Sequence, residues 1–334
     1  MKQVVERILA MLVLVGIGFI LGLAVAKLQR LETQMIIGTH DGTPHADDIF
    51  AVAIVLLVDG RFDVIRTRDK QLLQAADIRV DVGMKYNPPT DFDHHMVDFN
   101  YTREDGRPYA SAGLVGSHYW PLLIGDGDEA IYRRLDDKLL SSIDAVDCGI
   151  DTYTPISPYR VFDIQSYFSG YIPSAAALYG KTKDQIDAIL YKSFMESVEE
   201  AKNILTREIE KARYWVIDQD LVNRAIDTAR HADPRVIVLK RHAAWGETVA
   251  QHPEILFVVF YDESSENWVI QTVPEPGNRF SSKKLLPAEW AGKEGPEFIR
   301  TTGIHDAVFC HRSRFQARAR SKESILEMAD RVLD

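Results

Sequence analysis

From residue 35 onward, short runs rich in apolar and β-branched residues alternate with stretches whose apolar positions recur at helical spacing. Residues 35–37, 62–67 and 77–82 read as strands, with a helix over 46–58 and a short helix before the third strand. That order predicts an α/β domain with a parallel sheet and flanking helices. In such sheets ligand-bearing side chains gather at the carboxyl ends of the strands. His40, Asp81 and Asp147 each follow an apolar stretch closely enough to sit there. Helices then dominate: 112–123, with Ser111 as its N-cap, and 128–146. Residues 182–217, dense in Glu, Lys and Arg, predict a long helical connector with a solvated face. Beyond it, strands over 235–240, 255–261, 268–273 and 307–311 and a closing helix over 322–332 predict a smaller α+β domain. The predicted organisation is an apolar helix and linker over 1–34, a first domain over 35–180, the connector over 181–217 and a second domain over 218–334.

The first segment departs from this pattern. Residues 8–26 form an uncharged run of 19, long enough to span hydrocarbon as a helix. Lys2 and Arg7 flank it on one side and Lys27 and Arg30 on the other, so the charges do not set an orientation. An uncleaved membrane anchor is the reading adopted, because the stretch is longer than the usual core of a signal peptide. The alternatives are a signal peptide cleaved after Ala24-Val25-Ala26 and a true start at Met35. Gly18 and Gly22 have the spacing that lets two such helices pack, which would make a homodimer.

Composition narrows the classes of partner. With 46% hydrophobic and 26% charged residues the chain is globular, and nothing repeats at a fixed period. A formal charge of -10 excludes a surface that coats nucleic acid through general basicity. Cys148 and Cys310 are too sparse for a disulfide framework, which points to a reducing compartment. The expected location is the cytoplasm, with the first segment as a membrane tether.

The chemistry concentrates in the first domain. Residues 39–48 crowd His40, His45, Asp47 and Asp48 into a loop ahead of a helix, and imidazole with carboxylate suits a divalent ion such as manganese. Asp in a first helical turn is also ordinary capping, so this cluster alone decides little. Asp81 ends a strand, and the run Asp91-Phe92-Asp93-His94-His95 follows. Four of ten histidines, His40, His45, His94 and His95, therefore fall within 56 residues, each near a carboxylate. A lone histidine is usually a satisfied polar side chain, whereas four with paired acids indicate metal ligation. Asp147 ends a helical pattern, where a carboxylate opposes the helix dipole and is better tolerated beside a cation.

Six motifs occur in order: Ile37-Gly38-Thr39-His40-Asp41-Gly42-Thr43-Pro44-His45-Ala46-Asp47-Asp48, Arg66-Thr67-Arg68-Asp69, Asp81-Val82-Gly83, Asp93-His94-His95, Ser111-Ala112-Gly113-Leu114-Val115 and Asp144-Ala145-Val146-Asp147. Together they resemble the melanocyte-proliferating-gene (Myg) family of the DHH phosphoesterases, from about residue 36 to the end. The resemblance implies a DHH-type catalytic domain and a C-terminal substrate-binding domain. It implies two divalent ions, manganese or magnesium, with His40, His45 and Asp47 as ligands from the first loop. Asp81 would bridge the ions, and His94 and Asp147 would complete the ligand set of the second ion. His95 would face the scissile phosphate while Asp93 orients an imidazole. Arg66, Arg68, Lys283, His311, Arg314 and Arg318 would bind substrate. Two departures stand out: Asp48 where the family usually has Glu, and Gln316-Ala317-Arg318 where it has a Gly-rich turn after Phe315.

The implied activity is metal-dependent phosphoester hydrolysis, as an exonuclease on RNA or short single-stranded oligonucleotides. The alternatives are a small-nucleotide phosphodiesterase or phosphatase, and a catalytically silent membrane-tethered binding protein. The complete set of candidate ligands speaks against the last.

Overall fold

The computed structural model describes residues 35–125, 127–154, 158–230 and 232–333, so the apolar helix expected over 8–26 lies outside the described residues. Among the described residues no helix is long and apolar enough to cross a membrane. The chain divides into two compact units between Ile209 and Glu210.

The first unit opens with β1 (Met35–Thr39), α1 (Ala46–Val58), β2 (Phe62–Arg66), α2 (Lys70–Ala75), β3 (Ile78–Val80), β4 (Tyr86–Asn87) and β5 (Asp91–Phe92). The sheet order is β2-β1-β3-β5-β4. β1 runs parallel to both β2 and β3, β5 continues parallel to β3, and β4 alone is antiparallel. The carboxyl ends of β1, β3 and β5 thus lie side by side. Strand order reverses at β1, with β2 added on one side and β3 on the other, the topology that opens a crevice for ligands at that end. Every residue of α1 from Ala46 to Val55 is buried, polar ones included, so this helix is covered on all sides.

Helix α3 (Ser111–Ile124) packs on α1. Residues 128–146, expected as one helix, are α4 (Glu129–Leu135), a π turn over Asp136–Leu140, and α5 (Ser141–Asp147). The wider turn answers to contacts with distant parts of the chain. It aims Asp136 at the buried Arg103 guanidinium and presses Leu140 against α3 at Gly116, where a Cβ would stand 2.6 Å from Leu140 Cδ1. Ser111 does not cap α3 as expected; Ala110 holds that position, and the serine side chain is used elsewhere. Two short helices, α6 (Ile164–Ser169) and α7 (Ala175–Leu178), lead to α8 (Lys183–Arg230). At 48 residues α8 outruns the connector predicted over 182–217, because Val222, Ile226 and Ala229 continue the helical spacing and bury in the core of the second unit.

The second unit holds β6 (Val236–Val238), α9 (Gly246–Ala250), β7 (Phe257–Asp262), β8 (Asn267–Thr272), β9 (Pro274–Glu275), β10 (Asn278–Ser282), α10 (Gly295–Thr302), β11 (Ala307–Cys310), β12 (Gln316–Ala319) and α11 (Lys322–Leu333). Its main sheet, β11-β12-β8-β7-β6, is antiparallel except between β6 and β7. Alternation along β7 explains why both faces are covered. Phe257 and Val259 join Phe298, Ile325 and Met328 in one core, while Val258 and Phe260 join Val222, Ile226 and Trp245 in the other. Residues 316–319 form an interior strand, with Ala317 and Ala319 fully buried between less buried Gln316 and Arg318.

Candidate metal centre

Three parallel strands deliver the polar cluster. His40 follows β1 directly, Asp81 follows β3, and Asp93-His94-His95 follow β5. Asp47 and Asp48 stand in the buried first turn of α1, and Asp147 closes α5 rather than a strand. Asp81 itself is held at φ 56, in the left-handed region that Asp tolerates better than most residues. Gly83 and Met84 also have positive φ, so the turn after β3 is bent sharply around the site.

The structure brings His40, His45, Asp47, Asp81, His94, His95 and Asp147 together. They form three groups whose ligand atoms lie within 4.8 Å of one another: His40, His45 and Asp81; Asp81, His94 and His95; and Asp47, His94 and Asp147. Asp81 and His94 each belong to two of the groups. His94 Nε2 lies 3.1 Å from Asp147 Oδ2 and 3.4 Å from Asp81 Oδ1, and His45 Nδ1 is 3.6 Å from Asp147 Oδ1. Cys148 joins none of them; its exposed thiol faces the Tyr109 carbonyl at 3.7 Å.

The remaining contacts hold these side chains in place. Both Asp47 oxygens accept backbone amides at the start of α3, Ser111 N at 3.0 Å and Ala112 N at 2.6 Å. Ser111 Oγ donates to Asp81 Oδ1 at 3.1 Å, and the next free amide, Gly113 N, donates to Asp144. Asp48 accepts the His45 amide through Oδ1, closing the first turn of α1 as a capping box. Its Oδ2 stands 3.2 Å from His40 Nε2. Asp93 accepts Met84 N and His95 Nδ1.

These contacts fit a bound cation. His40 Nδ1 meets the Asp41 carbonyl at 2.8 Å, so that nitrogen carries the proton and a neutral ring turns its Nε2 lone pair toward Asp48 and Asp81. Asp48 Oδ2 and His94 Nε2 are both buried without a hydrogen-bond partner. Acceptors that face one another out of water call for a positive charge between them. Protonation shifts carry the same message. Burial opposes charge on His40, yet Asp48, Asp81 and the Asp41 carbonyl outweigh it and push the pKa up to about 10. His94 is raised in the same way, against burial, by Asp147 and Asp81. Burial and the neighbouring Asp81, Asp147 and Asp144 raise the Asp47 carboxyl well above the usual range. Asp81, despite burial, is lowered by its contacts with His40 and His94.

A match along most of the chain identifies the family. The MYG1 exonuclease family model, described as Uncharacterised protein family (UPF0160), matches residues 36–333. The chain belongs to this family. The MYG1 protein of Dictyostelium discoideum is 28% identical, covering 90% of this chain and 97% of that protein. The MYG1 exonuclease of Homo sapiens is 29% identical over 91% of this chain and 87% of that one. The MYG1 protein of Chlamydia muridarum is 28% identical over 91% and 98%.

In this MYG1-family chain the six candidate substrate residues are placed differently from one another. Arg66 is almost wholly buried: it donates to the Gly42 carbonyl, lies 3.9 Å from Asp48, and stacks over the Phe194 ring at 4.5 Å. Arg68 is exposed and paired with Asp41. Lys283 Nζ donates to the carbonyls of His252 and Ile255. His311 accepts Ser313 N and sits 4.5 Å from the Phe315 ring, Arg314 donates to the Leu286 carbonyl, and Arg318 faces Asp262 at 3.4 Å. Those last four residues belong to the second unit.

Several supporting residues were not singled out as site residues from sequence. Arg103 bonds Asp136 and Asp144 behind the centre, Ser111 and Ala112 hold Asp47, and Gln165 accepts Ala46 N at the start of α1. None has a local signature, since each acts across 30 residues or more. Asp48, a member of the first loop cluster and a departure from the family pattern, is the partner of His40.

Proposed function

We propose that the chain is a metal-dependent phosphodiesterase of the DHH type, working as an exonuclease on RNA or short single-stranded oligonucleotides with manganese or magnesium. The observation that carries the reading is the three ligand groups linked in series through Asp81 and His94, with His94 Nε2 buried and without a hydrogen-bond partner where two of them meet. Two divalent ions held there would lower the pKa of an attacking water and offset the charge of a phosphate. His40, His45 and Asp81 would hold one ion and Asp47, His94 and Asp147 the other, with Asp81 between them.

His95 has a separate place in this scheme. Its Nδ1 bonds Asp93, which leaves Nε2 of a half-exposed ring on the cavity beside the centre. From there it would donate to a phosphate or leaving-group oxygen. The human and mouse relatives are named exonucleases, which supports nuclease action, and the negative net charge is no obstacle when the local field comes from metal and a few cations. Two free cysteines fit a reducing cytoplasm. The cavity, about 870 Å³, has room for a nucleotide or a dinucleotide, which keeps the small-nucleotide phosphodiesterase as the second reading.

The test is metal content plus turnover. Manganese-loaded full-length chain is expected to shorten a labelled RNA progressively from one end. Intact RNA beside a hydrolysed dinucleotide would select the small-substrate reading. Protein that binds no manganese by elemental analysis, and cleaves neither, would overturn both.

A further inference from the structure

The cavity beside the centre carries a charge imbalance that the metal ligands do not explain. Five of its lining side chains, His40, His45, Asp81, Asp93 and His95, belong to the centre. Opposite chemistry comes from Arg68, Lys70, Arg79 and Lys85. Two of these cations are already matched. Arg68 pairs with Asp41, and Arg79 bonds Asp91 at 2.5 Å while donating to the carbonyls of Leu73 and Ala76. Lys85 reaches only the other oxygen of that same Asp91, at 3.3 Å, and its side chain is 59% exposed. Lys70 bonds no acid among the described residues. Outside the Asp81 and Asp93 carboxylates of the centre, four cations therefore face two acids, Asp41 and Asp91, and the two lysines are left without an acid of their own on this cavity.

Charge matching selects what would sit between them. An internal phosphodiester carries one negative charge, which the metal centre itself accommodates. A phosphate monoester carries about -1.5 to -2 at neutral pH, the amount two lysines offset. Lysine supplies compact, rotatable donors suited to a terminal phosphate. Leu73, Val82 and Met84 line the same cavity and offer an apolar surface for the attached sugar and base. We propose that Lys70 and Lys85 form a subsite for a terminal phosphate monoester, so that chain ends bearing phosphate are recognised in preference to hydroxyl ends. The proposal rests on the reading of the centre as a phosphodiesterase, and it adds the form of the substrate's end.

The experiment is binding of three dinucleotides, one unphosphorylated, one 5′-phosphorylated and one 3′-phosphorylated, to the full-length chain in chelator, by calorimetry. One phosphorylated form is expected to bind about tenfold or more tighter than the unphosphorylated one, and which of the two does so gives the end recognised. The preference should vanish in Lys70→Ala/Lys85→Ala and persist in Lys70→Arg/Lys85→Arg, which keeps both charges. Equal binding of all three by the wild type, or an unchanged preference in the double alanine variant, overturns the proposal. Turnover of bis(p-nitrophenyl) phosphate by manganese-loaded wild type reports separately on the centre. Its absence beside a retained binding preference would sink the hydrolase reading and leave the phosphate subsite standing.

Discussion

Asp93 Oδ1 lies 2.8 Å from His95 Nδ1, and the other oxygen of the same carboxylate accepts the Met84 amide at 2.5 Å. The aspartate thereby ties the imidazole to the bent turn after β3 and fixes which ring nitrogen carries the proton. Asp93→Asn cannot accept from both donors, because one of its two atoms becomes an amide NH₂. The ring should then turn or change tautomer. We expect turnover to fall about 10- to 100-fold with manganese stoichiometry kept, as read by kinetics and elemental analysis on the same sample. A variant as fast as wild type would remove Asp93 from the orienting role.

Asp81→Asn separates charge from backbone geometry. Asn accepts the left-handed conformation at φ 56 as readily as Asp does, so the turn survives and only the bridging charge is lost. Circular dichroism should match wild type while manganese affinity drops more than about 100-fold and turnover disappears. Undiminished manganese binding would mean that Asp81 does not stand between two ions.

The sites most legible in the sequence are those built by short-range order. His40, Asp81 and the Asp93-His94-His95 run each leave a strand at its carboxyl end, and alternating strand and helix patterns mark those ends directly. What was illegible is long-range. Arg66 sits in a motif beside Arg68, yet one is buried over Phe194 and the other is in solvent, because a residue more than a hundred positions away decides the difference. The π turn over Asp136–Leu140 likewise answers to Arg103, which no helical periodicity announces. The strand over residues 316–319 has no sequence signature, because four residues with two alanines give too short an alternation.

The histidines set a pH dependence whose sign follows from the folded values. In metal-free protein His40 is raised from 6.5 to about 10, so the bound proton stabilises the fold fully below pH 6.5. That stability is lost as pH rises through 10. Metal ligation requires the neutral ring, so metal and proton compete over the same window. Chelator-treated protein should melt at progressively lower temperature from pH 7 to 10, while manganese-loaded protein should decline less. Manganese affinity should rise with pH by up to about tenfold per unit for each proton displaced. His40→Gln should make the metal-free decline shallower, the raised His94 supplying the remainder; a wild-type curve that is flat or rising would contradict the assignment.

Arg103 connects the stability of the first unit to the geometry of its centre. The guanidinium is 5% exposed, bonds Asp136 at 2.6 and 2.7 Å and Asp144 at 2.7 Å, and lies over the Tyr109 ring. Asp144 in turn accepts Gly113 N at a point where a Cβ would come within 1.9 Å of its carboxylate, so helix α3 can approach only through glycine. The two amides before Gly113 are those that hold Asp47. Burial already raises the Asp144 carboxyl to about 7 against the pull of Arg103. Arg103→Met leaves two buried carboxylates without their cation and should cost about 3–5 kcal/mol of unfolding free energy. Asp144 would then take up a proton, and Arg103→Met/Asp144→Asn should recover part of the loss. Arg103→Lys keeps the charge but cannot bond both acids as a planar fork, so it should fall between wild type and the methionine variant. Urea midpoints for the four proteins, each measured with and without manganese, decide the matter. A methionine variant within about 1 kcal/mol of wild type would show that the buried acids carry no charge in the native protein. If instead stability falls and manganese binding weakens in parallel, the α3 amides are the link, since Asp47 loses its place when the helix start moves.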